Sequence, residues 1–71
     1  MASIHPSAAV DKDARLGEDV TVGPFAVIEA GAEIGDRSEI GPHAYITKHA
    51  RIGSEVRVFK GASVGTDPQD L

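Results

Sequence analysis

With 71 residues the chain is at most one small domain, of a size that buries only about 60% of its unfolded surface and is marginal when it folds alone. It has no cysteine, so disulfides and cysteine-ligated metals are excluded as the missing staple and self-association is left as the source of extra burial. Seven basic against eleven acidic residues give a net charge of −4 with neither sign clustered, which argues against nucleic-acid binding or a polybasic membrane patch.

In chain order, the opening "MASIHPSAAV" has no basic segment followed by an apolar run. No later stretch approaches the roughly eighteen apolar residues that span a bilayer, so a soluble cytosolic chain without membrane insertion is expected. A strict rhythm starts at Ile4. Every sixth residue is a branched aliphatic: Ile4, Val10, Leu16, Val22, Ile28, Ile34, Ile40, Ile46, Ile52, Val58 and Val64. Four residues after each stands a small one, from Ala8 and Ala14 through Ser38 to Ala62, until Pro68 breaks the series. Such a repeat must be read before any element is assigned.

A period of six fits neither a helix nor a long alternating strand, but it fits a four-residue strand joined to a two-residue corner. The strands read "VTVG", "AVIE", "AEIG", "SEIG", "AYIT", "ARIG", "VRVF" and "ASVG", with corners such as Pro24-Phe25, Asp36-Arg37, Pro42-His43 and Lys48-His49. The first and third residues of each strand point inward and the second points outward. Gly, Pro, Asp and Ser gather where sharp bends favour them. Three flat faces per turn give an all-β, triangular parallel β-helix of a little under four coils, one domain spanning 1–71 with regular hexads over 4–69. Antiparallel hairpins or a small sandwich would not need an aliphatic at every sixth position without a slip. The spacing does not set the hand of the helix, and parallel crossovers are right-handed in about 98% of cases.

Outward residues eighteen apart form columns. Arg15, Glu33 and Arg51 stack with Gln69, and Thr21, Glu39 and Arg57 form another column; both suit a solvated face. The column Ala9, Val27, Tyr45 and Ser63 differs, because Phe25 at the adjoining corner joins Val27 and Tyr45 in an apolar strip expected to be a subunit contact. No metal site is expected, since His43 and His49 fall on different edges without a third ligand. There is no GxGxxG after a strand and no GK[ST], and no cofactor is expected.

Position 70 is an inward slot above Leu16, Ile34 and Ile52, yet it holds Asp70. A carboxylate buried there unpaired would cost several kcal/mol, to an order of magnitude ~5 kcal/mol, so the chain is expected to leave the regular coil. Pro68, which has no amide hydrogen for a ladder, agrees. The unbroken register up to that point also leads to an expectation of end-to-end association through an apolar coil end that includes Val58 and Val64.

The hexads "IGDRSE", "IGPHAY" and "IGSEVR" resemble those of the hexapeptide-repeat acyltransferases. The resemblance implies a left-handed parallel β-helix. "IHPSAAV", "VGPFAVIEAGAEIG" and "ASVGTDPQDL" are most similar to the UDP-N-acetylglucosamine O-acyltransferases of that family, which act in lipid A biosynthesis. For those enzymes the resemblance implies a bacterial cytoplasmic homotrimer. It transfers a 3-hydroxyacyl chain from acyl carrier protein to the glucosamine 3-hydroxyl, with a histidine as general base. By resemblance Gln69 and Asp70 fall in the substrate-contacting stretch. The family's catalytic histidine lies beyond "QDL", and His5, His43 and His49 match no catalytic position, so the chain alone is expected to lack acyl transfer. A non-catalytic self-associating β-helical module and another sugar-nucleotide acyltransferase of the superfamily are the alternatives.

Overall fold

The computed structural model describes residues 1–65; the expectations for Pro68, Gln69 and Asp70 lie outside them. Eleven strands follow one another: β1 (Ser3–Ile4), β2 (Ala9–Val10), β3 (Arg15–Leu16), β4 (Thr21–Val22), β5 (Val27–Ile28), β6 (Glu33–Ile34), β7 (Glu39–Ile40), β8 (Tyr45–Ile46), β9 (Arg51–Ile52), β10 (Arg57–Val58) and β11 (Ser63–Val64). Only the middle two residues of each expected four-residue strand make the ladder. The flanking backbone still bonds to the next coil, as when the Ser3 amide donates to the Val20 carbonyl at 2.7 Å and the His5 amide to the Val22 carbonyl at 3.0 Å.

All pairing is parallel and offset by one coil, with Ser3 beside Thr21, Ala9 beside Val27 and Arg15 beside Glu33. Three sheets result: β1-β4-β7-β10 (face one), β2-β5-β8-β11 (face two) and β3-β6-β9 (face three). Because side chains alternate across a strand, each aliphatic points into the triangle while its predecessor faces water. Val22, Ile28, Ile34, Ile40, Ile46, Ile52 and Val58 are buried, as are Ala26, Ala32, Ala44 and Ala50 between them.

Ser38 is the one buried polar residue among the described ones, fully enclosed at 0% exposure. Its hydroxyl donates to the Gly53 carbonyl at 2.6 Å and accepts the Val56 amide at 3.1 Å. It is therefore paired on both sides, which is the condition for a polar group to sit in an apolar core.

From Asp19 to Gly61 the corners are tight turns whose second residue is left-handed. Asp19, Phe25, Arg37, His43, His49 and Glu55 all have φ between 57° and 62°, and Gly31 and Gly61 lie at 76° and 72°. At several of them the amide after the corner donates back to the residue before it, as from Ala32 to Glu29 at 3.2 Å, the bond of a type II turn. A side chain in this backbone region costs about 1–2 kcal/mol. A bond to the preceding coil offsets part of it: His43 donates to Pro24 at 2.9 Å and Glu55 to Asp36 at 2.8 Å.

Candidate functional site

The apolar strip lies along the edge where face one meets face two. Ser7, Phe25, His43 and Gly61 occupy this edge, one per coil. The Phe25 amide donates to Ser7 Oγ at 3.1 Å, and the left-handed corner turns its ring outward, 59% exposed. There it stacks on the His43 imidazole, with ring centroids 5.1 Å apart and planes 20° from parallel. Val27 and Tyr45 sit beside this pair on β5 and β8, directly opposite each other in the ladder.

Tyr45 is held by its tip. Its hydroxyl donates to a Glu29 carboxylate oxygen, and the other oxygen accepts the Lys48 amide at 3.0 Å. The Tyr45 bond, followed by the Lys48 amide, holds the Glu29 carboxyl below the usual carboxylate range. The same carboxylate pushes the Tyr45 phenol up. The strip therefore consists of Phe25, Val27, His43 and Tyr45. Sequence reasoning treated His43 only as a corner histidine. Its spacing of one coil from Phe25 was the available signal.

A second apolar surface went unseen. On face one, Thr21, Gly23, Ile40, Gly41 and Pro42 form a shallow groove that ends at Phe59, a residue 70% exposed. Positions 23, 41 and 59 share one column, so Phe59 breaks a run of glycine at the groove's end. Val58 is only 6% exposed and Val64 is partly buried.

Over the described residues the other expected columns are in register and exposed. Arg57 Nε lies 3.6 Å from Glu39, and at the third corner edge Arg37 Nε lies 3.3 Å from Glu55. Exposed pairs of this kind contribute a fraction of a kcal/mol, about 0.5 kcal/mol. The three histidines stand on separate tasks: His5 Nδ1 accepts the Ser7 amide at 3.1 Å and lies 2.8 Å from Ser7 Oγ, His43 stacks on Phe25, and His49 covers Gly31. Among the described residues no group of three or more His, Cys, Asp or Glu could hold a metal, and no helix is long and apolar enough to cross a membrane. Gln69 and Asp70 lie outside the described residues.

Comparison with known proteins agrees with this architecture. The chain is 69% identical over 71 residues to an acyl-[acyl-carrier-protein]--UDP-N-acetylglucosamine O-acyltransferase of Myxococcus xanthus, covering all of this chain and 28% of that protein. It is 62% identical over 71 residues to the enzyme of the same name from Chlorobaculum parvum, covering all of this chain and 27% of that one. The chain thus spans little more than a quarter of the length of these curated relatives. Among solved structures, UDP-N-acetylglucosamine acyltransferase from Campylobacter jejuni matches with a TM-score of 0.92 and 40% identity, over 97% of this chain and 27% of that one. The coils form a left-handed parallel β-helix, against the right-handed default of parallel crossovers. Residues 13–48, about half of the sequence, match the model of the bacterial transferase hexapeptide (six repeats) family, and the chain belongs to that family.

Proposed function

We propose that the chain forms the amino-terminal coils of a UDP-N-acetylglucosamine 3-O-acyltransferase, which moves a 3-hydroxyacyl group from acyl carrier protein to the sugar nucleotide in lipid A biosynthesis. The observation that carries this reading is identity of 69% and 62% across the whole chain to two enzymes of that name. The reaction belongs in the bacterial cytoplasm on the same reading. Within the enzyme the segment's part is architectural. Its inward aliphatics build the first coils, and the strip of Phe25, Val27, His43 and Tyr45 forms a lateral contact of a homotrimer. Val58 and Val64 point inward and serve the core. Gln69 and Asp70 are carried as substrate contacts by resemblance alone.

The described side chains support a non-catalytic role for the segment itself. A general base must reach the sugar hydroxyl with a free ring nitrogen and close positioning. His5 turns Nδ1 to Ser7, the His43 ring packs on Phe25 and the His49 ring packs over Gly31. The test is a chimaera in which this chain replaces the matching segment of the Myxococcus xanthus enzyme. It is assayed with 3-hydroxyacyl-acyl carrier protein and UDP-N-acetylglucosamine. Turnover within a few-fold of the parent is expected, together with none from the 71-residue chain alone. A folded chimaera without activity, or turnover by the chain alone, overturns the reading.

A further inference from the structure

An imidazole stacked within an otherwise uncharged apolar strip is a chemical liability when that strip is covered. We propose that His43 makes closure of the strip sensitive to pH: the contact between copies forms with the imidazole neutral, and protonation opposes it. This rests on the subunit-contact reading above.

Neutral or like-charged groups surround the ring. From the preceding coil it faces Phe25, stacked at 5.1 Å, and Pro24, whose carbonyl accepts the His43 amide. From the next coil it faces the corner of Lys60 and Gly61, fixed by the Gly61 amide donating to the Pro42 carbonyl at 3.0 Å. Lys60 at that corner has the same sign as an imidazolium. Along its own chain comes Tyr45, whose hydroxyl is committed to Glu29, while Glu29 also takes the Lys48 amide. On face one, Glu39 is paired with Arg57. Among the described residues of this chain, no carboxylate bonds the His43 ring.

Two effects of protonation compete. An imidazolium over the Phe25 face gains a cation–π attraction, which is weak at an exposed site. Covering the strip removes water from that charge, and an unpaired charge loses far more by desolvation than the ring face returns. In the free chain the ring is exposed, and the desolvation arises only when the strip is covered. Histidine is the side chain whose charge changes between about pH 5 and 8, the range the test spans.

The test is sedimentation velocity of the 71-residue chain at about pH 8 and about pH 5.5, with circular dichroism at both to separate dissociation from unfolding. Asn tolerates the left-handed backbone of this corner, so His43→Asn is the diagnostic variant and His5→Asn combined with His49→Asn is the control. Expected is a fall in the association constant of about tenfold or more at the lower pH, retained in the control pair and abolished in His43→Asn. Association indifferent to pH, or an equal fall in His43→Asn, overturns the inference and leaves the contact standing. A chain that is monomeric at both pH values overturns the contact reading and the inference with it.

Discussion

The imidazole of His49 lies directly over Gly31 of the preceding coil: a methyl group on Gly31 would stand 2.5 Å from His49 Nδ1. Gly31 also has φ of 76°, so its lack of a side chain serves both the turn and the close approach. Gly31→Ala is therefore expected to lower stability by about 1–2 kcal/mol, read from thermal unfolding. Adding His49→Ala relieves the contact but not the backbone, and part of the loss should return. Full recovery would show that the left-handed corner carries no cost.

The in-and-out alternation predicts opposite outcomes for neighbouring residues. Ile34 is buried on β6 and Glu33 is exposed beside Arg15 and Arg51. Ile34→Asp places an unpaired carboxylate among aliphatics and should abolish folding, whereas Glu33→Ala should cost under about 0.5 kcal/mol. Equal damage from both would contradict the register.

Ser38 gives a sharper probe of the core. Ser38→Ala leaves the Val56 amide and the Gly53 carbonyl without their shared partner. A loss of about 1–3 kcal/mol is expected in denaturant unfolding, because unsatisfied buried groups keep their full desolvation penalty. Thr at this position should restore much of it by keeping the hydroxyl.

The pH behaviour of the Tyr45 and Glu29 pair follows from their directions. The Glu29 carboxyl is lowered in the folded chain, so its contribution is complete above the unfolded carboxylate value of about 4.3 and is lost as pH falls through the folded value. The Tyr45 phenol is raised, so its contribution is complete below the ordinary value of about 10 and is lost as pH rises through the folded value. Tyr45 is the only tyrosine, and there is no tryptophan, so ultraviolet absorbance reports its ionisation cleanly. Ionisation should begin at higher pH than for free tyrosine and return towards it in Glu29→Gln.

Much of this architecture was legible from spacing alone. The step of six located every inward aliphatic from Ile4 to Val64, and the step of eighteen paired Val27 with Tyr45 and Arg15 with Glu33 as the ladder does. The corners were legible as positions but not as conformations. Gly31 and Gly61 suit φ above zero, whereas Phe25, Arg37 and His43 adopt it only because the coils above and below dictate it. Ser38 read as merely small, since its worth depends on two backbone groups in the next coil. The hand of the helix leaves no trace in the period and came from likeness to a solved structure. Phe59 and its groove were not legible because a lone phenylalanine at a strand end forms no apolar column with its glycine neighbours at 23 and 41, and the groove exists only once the coils stack.

The central claim is that the outward strip joins copies while the inward aliphatics fold each one. Sedimentation equilibrium of the chain beside Val27→Glu combined with Tyr45→Glu tests it most directly. The account predicts a trimeric mass for the parent and a monomeric mass for the variant, with the same β-rich circular dichroism. Equal masses for the two folded chains would contradict it.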